Sequence, residues 1–232
     1  MKRFLSLLLV SVLALNAVAV ALADDDFDLS PIRNNDRFDI SVNSEDEVAF
    51  ITTTFSASDR SFVHEDEHPE YYSTFESDMI VLDYFSNDAH PVLRTWIKYA
   101  TTEPLYPTAV TFTIDNKDYT FSGIGMPENS DEDETGVTEE VLIRYGVDSI
   151  EFLIAMDEIR KSVADDLDSE LTMKEIDEKY AIPFVLHGIK DVTSTMRIGS
   201  LLDIMFIMNA FLDVNGDLSD VSSPSKLVIT EK

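Results

Sequence analysis

Residues 108–124 read TAVTFTIDNKDYTFSGI. Two runs rich in β-branched and aromatic residues flank Asp115-Asn116-Lys117-Asp118, a polar turn signal. This is the strongest short-range hairpin pattern in the chain. Upstream, VLRTWIKYA (92–100) alternates, with Leu93, Thr95, Ile97 and Tyr99 on one face and Arg94, Trp96 and Lys98 on the other. RFDISV, EVAFITTTF and DMIVLDYF also read as strands, and residues 56–70 as a polar connection between two of them. Residues 38–125 are therefore expected to form an antiparallel, sandwich-like β meander.

Beyond it the period changes. Residues 126–140 are acidic and turn-rich, and read as a linker or loop. TEEVLIRYG fits a short helix stopped by Gly146, or a strand through VLIRY. SIEFLIAMDEIRKS has helical spacing at Ile150, Leu153, Ile154, Asp157 and Arg160, with Asp148 and Glu151 placed as a capping box. Thr172 and Glu175 open a second helix, MKEIDEKYA, stopped before Pro183. IPFVLHGI reads as a buried strand. SLLDIMFIMNAFL is apolar almost all round and reads as a core helix. Its Asp203 would need a partner such as Arg197 or Arg160 if buried. The expected class is α+β: a β-rich half, then residues 141–232 as a mixed half of three or four helices and one or two strands, packed as one unit.

The chain opens MKRFLSLLLVSVLALNAVAVALA. Lys2 and Arg3, an apolar run and Ala21-Leu22-Ala23 match a secretory signal peptide over 1–23, cleaved after Ala23. Residues 24–37 read as an acidic leader. On this expectation the protein is exported and not held in a membrane. Losing Lys2 and Arg3 takes the formal net charge from -28 to -30. Such a charge disfavours nucleic acid and favours cations and basic partners. With no cysteine, neither a disulfide framework nor a thiol nucleophile is available.

Two stretches suggest metals. His64-Glu65-Asp66-Glu67-His68 matches H-E-x-x-H, whose chemistry needs two histidines one helical turn apart on zinc and a glutamate to activate the bound water. Pro69 pushes His68 away from helical dihedrals, and Asp66 and Glu67 suit a solvated segment rather than a packed helix. His64 and His68 are thus expected as loop residues, and as the place where zinc would bind if any does. Near the C-terminus, Asp213, Asn215 and Asp217 have one-three-five spacing after a helix. This resembles the first half of EF-hand and dockerin calcium loops. Leu218 and Pro224 stand where such loops need glycine and a bidentate acid, so the competing expectation is a helix end followed by an Asn-Gly turn.

No G-x-S-x-G elbow, P-loop or G-x-G-x-x-G occurs. His187, ending an apolar strand before Gly188, is the best-placed histidine for a catalytic base. Trp96, Tyr99, Tyr71 and Tyr72 suit either core packing or a sugar- or peptide-binding groove. By elimination the chain reads as a non-catalytic binding module for a cationic, protein, peptide or carbohydrate partner. A secreted hydrolase with metal at His64 and His68, and a calcium-stabilised surface protein, are the alternatives.

Overall fold

The structure is a computed structural model. It describes residues 38–42, 48–53, 72–80, 92–101, 103–125, 131–133, 136–167, 171–219, 221 and 224–232. The expected signal peptide, the leader and the His64–His68 stretch lie outside these residues. The protein is mixed α+β, with two antiparallel sheets and three α-helices among the described residues.

The first sheet contains β1 (Phe38–Val42), β2 (Val48–Thr53), β3 (Tyr72–Ile80), β4 (Val92–Thr101), β7 (Asp131–Asp133) and β8 (Gly136–Arg144), in the order β1-β2-β3-β4-β8-β7. The second contains β5 (Ala109–Ile114), β6 (Lys117–Ser122), β9 (Ile182–His187), β10 (Asp191–Met196) and β11 (Lys226–Glu231), in the order β10-β9-β5-β6-β11. The expected hairpin is β5–β6. Its turn is only Asp115-Asn116, both at positive φ (48° and 64°), while Lys117 and Asp118 already pair with Ile114 and Thr113. Two left-handed residues are what a tight hairpin turn requires, and Asp and Asn tolerate them best. In β4, Leu93, Thr95, Ile97, Tyr99 and Thr101 are buried and the intervening residues are half-exposed, as the alternation predicts.

Several boundaries differ from expectation. Strand β3 begins at Tyr72, ahead of the predicted DMIVLDYF, and Phe75 is its described inward residue. The segment 126–140, expected as a linker, supplies β7 and the first half of β8. In β8, Val137, Glu139 and Val141 are buried while Thr138 and Glu140 between them are half-exposed, so packing overrides the loop-like composition. TEEVLIRYG resolves to strand, pairing with β4 from Val137↔Thr101 to Arg144↔Arg94. Strand β9 is not buried on both faces: Ile182, Phe184 and Leu186 point inward, while Pro183, Val185 and His187 face out. The second half also carries more strand than expected, because DVTSTM and KLVITE add β10 and β11.

The helices are α1 (Ile150–Leu167), α2 (Met173–Tyr180) and α3 (Ile198–Asn215). The turn before α1 is closed by Ser149 Oγ, which accepts from Gly146 N–H at 3.2 Å; Glu151 turns outward and pairs with Lys117 at 3.1 Å. Helix α2 has the expected capping box: Glu175 N–H donates to Thr172 Oγ1, and Thr172 N–H to Glu175 Oε2. Asp177 of α2 then caps α3, accepting from Ile198 N–H at 2.9 Å. Helix α3 buries Leu201, Ile204, Met205, Ile207, Met208, Ala210 and Phe211 between the first sheet and α1, so its near-uniform apolarity is that of a core helix. Asp203 is only half-buried, Arg160 answers the buried Asp157 at 2.7 Å, and Arg197 reaches Asp177 at 3.6 Å.

The core is aromatic. Phe152 of α1 sits among Phe112, Tyr119, Phe121 and Tyr145, with centroids 5.0–6.2 Å away. Phe75 meets Phe184 edge-to-face at 5.4 Å, so the two sheets touch directly there. The strands of one half pair with those of the other, through β4–β8, β5–β9 and β6–β11. No helix among the described residues is long and apolar enough to cross a membrane.

Candidate functional site

One end of the second sheet holds a loop in a costly conformation. Residues 103–108, Glu-Pro-Leu-Tyr-Pro-Thr, connect β4 to β5. Tyr106 has φ 49°. Asp and Asn accept that region, but a bulky residue there is a genuine outlier. Pro107 adds to the conflict, because a residue preceding proline favours extended backbone. Packing does not compensate, since the Tyr106 side chain is 57% exposed.

What holds the loop is a buried acid. Glu139, on β8, is 3% exposed. Its Oε2 accepts from Tyr99 O–H at 2.9 Å and from Leu105 N–H at 2.8 Å, and its Oε1 accepts from Tyr106 N–H at 3.3 Å. Burial, and then the hydrogen bond and charge of Glu139, hold the Tyr99 hydroxyl well above the usual tyrosine range, so it stays a donor. Buried Leu105 and Pro107 bracket Tyr106 and anchor it from both sides.

The β9–β10 turn docks against this loop. Leu105 C=O accepts from Ile189 N–H at 2.8 Å, and His187 C=O accepts from Thr108 N–H at 2.7 Å. Ile189 is 76% exposed, so the turn also presents a large apolar side chain to solvent. Gly188 makes the approach possible: a Cβ there would lie 2.2 Å from the Leu105 carbonyl oxygen. Gly188→Ala is therefore expected to lower stability by about 2 kcal/mol, because backbone, not a flexible side chain, must retreat. Urea denaturation checks this; a loss under about 0.5 kcal/mol, the level of a neutral surface change, would mean the two segments are not packed this closely.

Beside the turn, on the outer face of the second sheet, four side chains form a hydrogen-bonded chain. His187 Nδ1 lies 3.1 Å from Asp191 Oδ1, and His187 Nε2 lies 2.8 Å from Thr111 Oγ1, which lies 2.9 Å from Thr120 Oγ1. Asp191 only accepts, so Nδ1 carries the proton of the neutral ring, and Nε2 is left to accept from Thr111. The cross-strand pairings His187↔Asp191 and Thr111↔Thr120 set these groups opposite one another, and Ala109↔His187 aligns β9 with β5.

The residues singled out from sequence fare unequally. His64 and His68 lie outside the described residues. Asp213 and Asn215 fall in the last turn of α3, with Gly216 following at φ 79° as the helix stop. Asp217 Oδ1 accepts from Ser219 N–H at 2.7 Å and from its hydroxyl at 2.5 Å, bonds that hold its carboxyl below the usual range, and Leu218 is buried. No three His, Asp or Glu side chains among the described residues are gathered as a metal site would need. Tyr99 is buried, and Trp96 lies half-buried on the outward face of the first sheet with Arg94 over its ring at 5.5 Å. His187 lies on the outward face of the second sheet, so among the described residues no cleft gathers Trp96 with His187. Tyr106, Ile189 and Glu139 were missed; the one available cue was the Pro104–Pro107 bracket around Leu105-Tyr106.

No protein-family model, no curated protein and no solved structure matches this chain.

Proposed function

We propose that the protein is an exported binding module that docks a protein or peptide partner on Tyr106 and Ile189. The observation that carries this reading is the strained, solvent-facing Tyr106, whose N–H is held by the buried carboxylate of Glu139. Strain held in place by surrounding structure, without packing in return, is characteristic of binding and switch positions. A rigid tyrosine beside an exposed isoleucine supplies the large apolar contact, at low entropy cost, that binding hot spots use. Nearby Glu103 and Asp191 are exposed acids, in keeping with a net charge of -28 that disfavours nucleic acid and suits partners bearing basic residues. Export follows from the signal-like residues 1–23.

Selection from a random-peptide display library on the purified protein tests the site. Enriched peptides are expected to lose roughly 30-fold or more in affinity, about 2 kcal/mol, on Tyr106→Ala or Ile189→Ala. They are expected to keep their affinity on Trp96→Ala and on His187→Ala. Peptides that bind Tyr106→Ala as well as wild type would overturn the proposal, as would a selection that enriches nothing.

A further inference from the structure

Apart from the charge of Asp191, the docking reading does not use the chain Asp191–His187–Thr111–Thr120, and its order carries chemistry of its own. We infer that Thr111 Oγ1 is a base-activated nucleophile able to take an acyl group from a small carboxylic ester. Three features of the geometry support this. The hydroxyl and the imidazole are 2.8 Å apart, within reach for proton transfer. A carboxylate 3.1 Å from the other ring nitrogen fixes the tautomer whose Nε2 faces the hydroxyl. The chain lies on an open sheet face, where Thr111 is half-exposed and His187 is 35% exposed, so an ester can approach from solvent.

The step is as follows. Thr111 Oγ1 attacks the ester carbonyl carbon while His187 Nε2 takes its proton. Asp191 stabilises the imidazolium that forms. The tetrahedral intermediate breaks its bond to the leaving oxygen, which departs as an alcohol carrying the proton from His187, or as a phenolate with that proton passing to water. The acyl group stays on Thr111 as an ester. A water deprotonated by the same imidazole then attacks that ester, releasing the carboxylic acid and restoring the hydroxyl. The Thr120 hydroxyl, 2.9 Å from the attacking oxygen, is the one further donor that the hydrogen-bonded chain offers beside it. Among the described residues the site has one such donor and no surrounding cleft, so it lacks most of the electrostatic stabilisation that drives rapid turnover. The expected signature is therefore acylation of one residue, followed by slow release.

The full chain is incubated with p-nitrophenyl acetate and mapped by peptide mass spectrometry. Acetyl is expected on the Thr111 peptide, labile to hydroxylamine as an ester is and a lysine amide is not. His187→Ala is expected to slow it by roughly 10²–10⁴-fold, the usual worth of a positioned base. Asp191→Asn should slow it by at least roughly tenfold through loss of the oriented tautomer. Thr111→Val should abolish the label and Thr111→Ser restore it, with near-ultraviolet circular dichroism confirming each fold. Trp96→Ala, on the first sheet and outside both sites, should leave labelling unchanged. No hydroxylamine-labile acetyl on Thr111, or equal labelling in His187→Ala, would overturn the inference.

Discussion

Glu139→Ala is expected to lower the stability of the protein by about 4 kcal/mol, the largest effect of any single polar substitution argued from this structure. The carboxylate answers three donors: the hydroxyl of buried Tyr99 and the backbone N–H groups of Leu105 and Tyr106. Removing it strands two buried donors, Tyr99 O–H and Leu105 N–H, and frees the part-buried Tyr106 N–H; a buried donor without an acceptor costs about 1–3 kcal/mol. Glu139→Gln separates the clamp from the fold. Two donors converge on Oε2, so a glutamine carbonyl placed there keeps both. Its amide nitrogen then faces Tyr106 N–H, which sits 3.3 Å from Oε1 in the wild type, and two donors oppose each other. Glutamine should therefore cost only about 1–2 kcal/mol, with the loss confined to residues 103–108. Hydrogen exchange reads the difference: faster exchange throughout β4 and β8 for alanine, faster exchange at the loop alone for glutamine. Equal, small effects from both would show that the carboxylate does not hold the loop.

The second large effect is at alkaline pH. Tyr99 and Tyr145 are both buried, and burial raises both pKa values above the ordinary 10.0. Glu139 adds to the rise at Tyr99, while a hydrogen bond to Thr95 opposes it at Tyr145. Because the folded-state values lie above the unfolded ones, the folded chain retains protons that the unfolded chain gives up. The contribution is fully present below pH 10 and is lost as pH rises beyond it. Each tyrosine removes about 1.4 kcal/mol per pH unit, so the pair removes about 2.7 kcal/mol per unit once the unfolded tyrosines ionise. Lys117 and Lys179 also have raised values, through Glu151 and Asp166, but their exposed positions make them minor contributors. Urea midpoints measured across this range should fall steeply above pH 10, and Tyr145→Phe should roughly halve the slope. A flat profile to pH 11 would mean that these hydroxyls are not buried as described.

How far the sequence could be read follows from how local each signal is. The β5–β6 hairpin, the alternation of β4, the Thr172–Glu175 cap and the core helix α3 depend on neighbours within a few residues, and the structure has them all. Strand β8 was ambiguous because Glu139, Glu140, Leu142 and Arg144 suit a helix; its identity comes from pairing with β4, some forty residues away. Glu139 was invisible as a buried acid among 45 acidic residues. The strain at Tyr106 is imposed by a residue 33 positions on, so composition carries no sign of it. His187 drew attention from its own neighbours, but its hydroxyl partner Thr111 stands 76 positions earlier. Site geometry here is made of cross-strand registers, which a periodicity does not encode.

The central claim is that Tyr106 is held in an unfavourable conformation for recognition rather than for stability. The most direct measurement is the unfolding free energy of Tyr106→Gly, taken beside its affinity for display-selected peptides. Glycine enters the left-handed region without steric cost, and little packing is lost from a side chain 57% exposed. The expected result is a protein about 1 kcal/mol more stable than wild type that no longer binds the peptides. A less stable variant, or one that still binds them, would contradict the account.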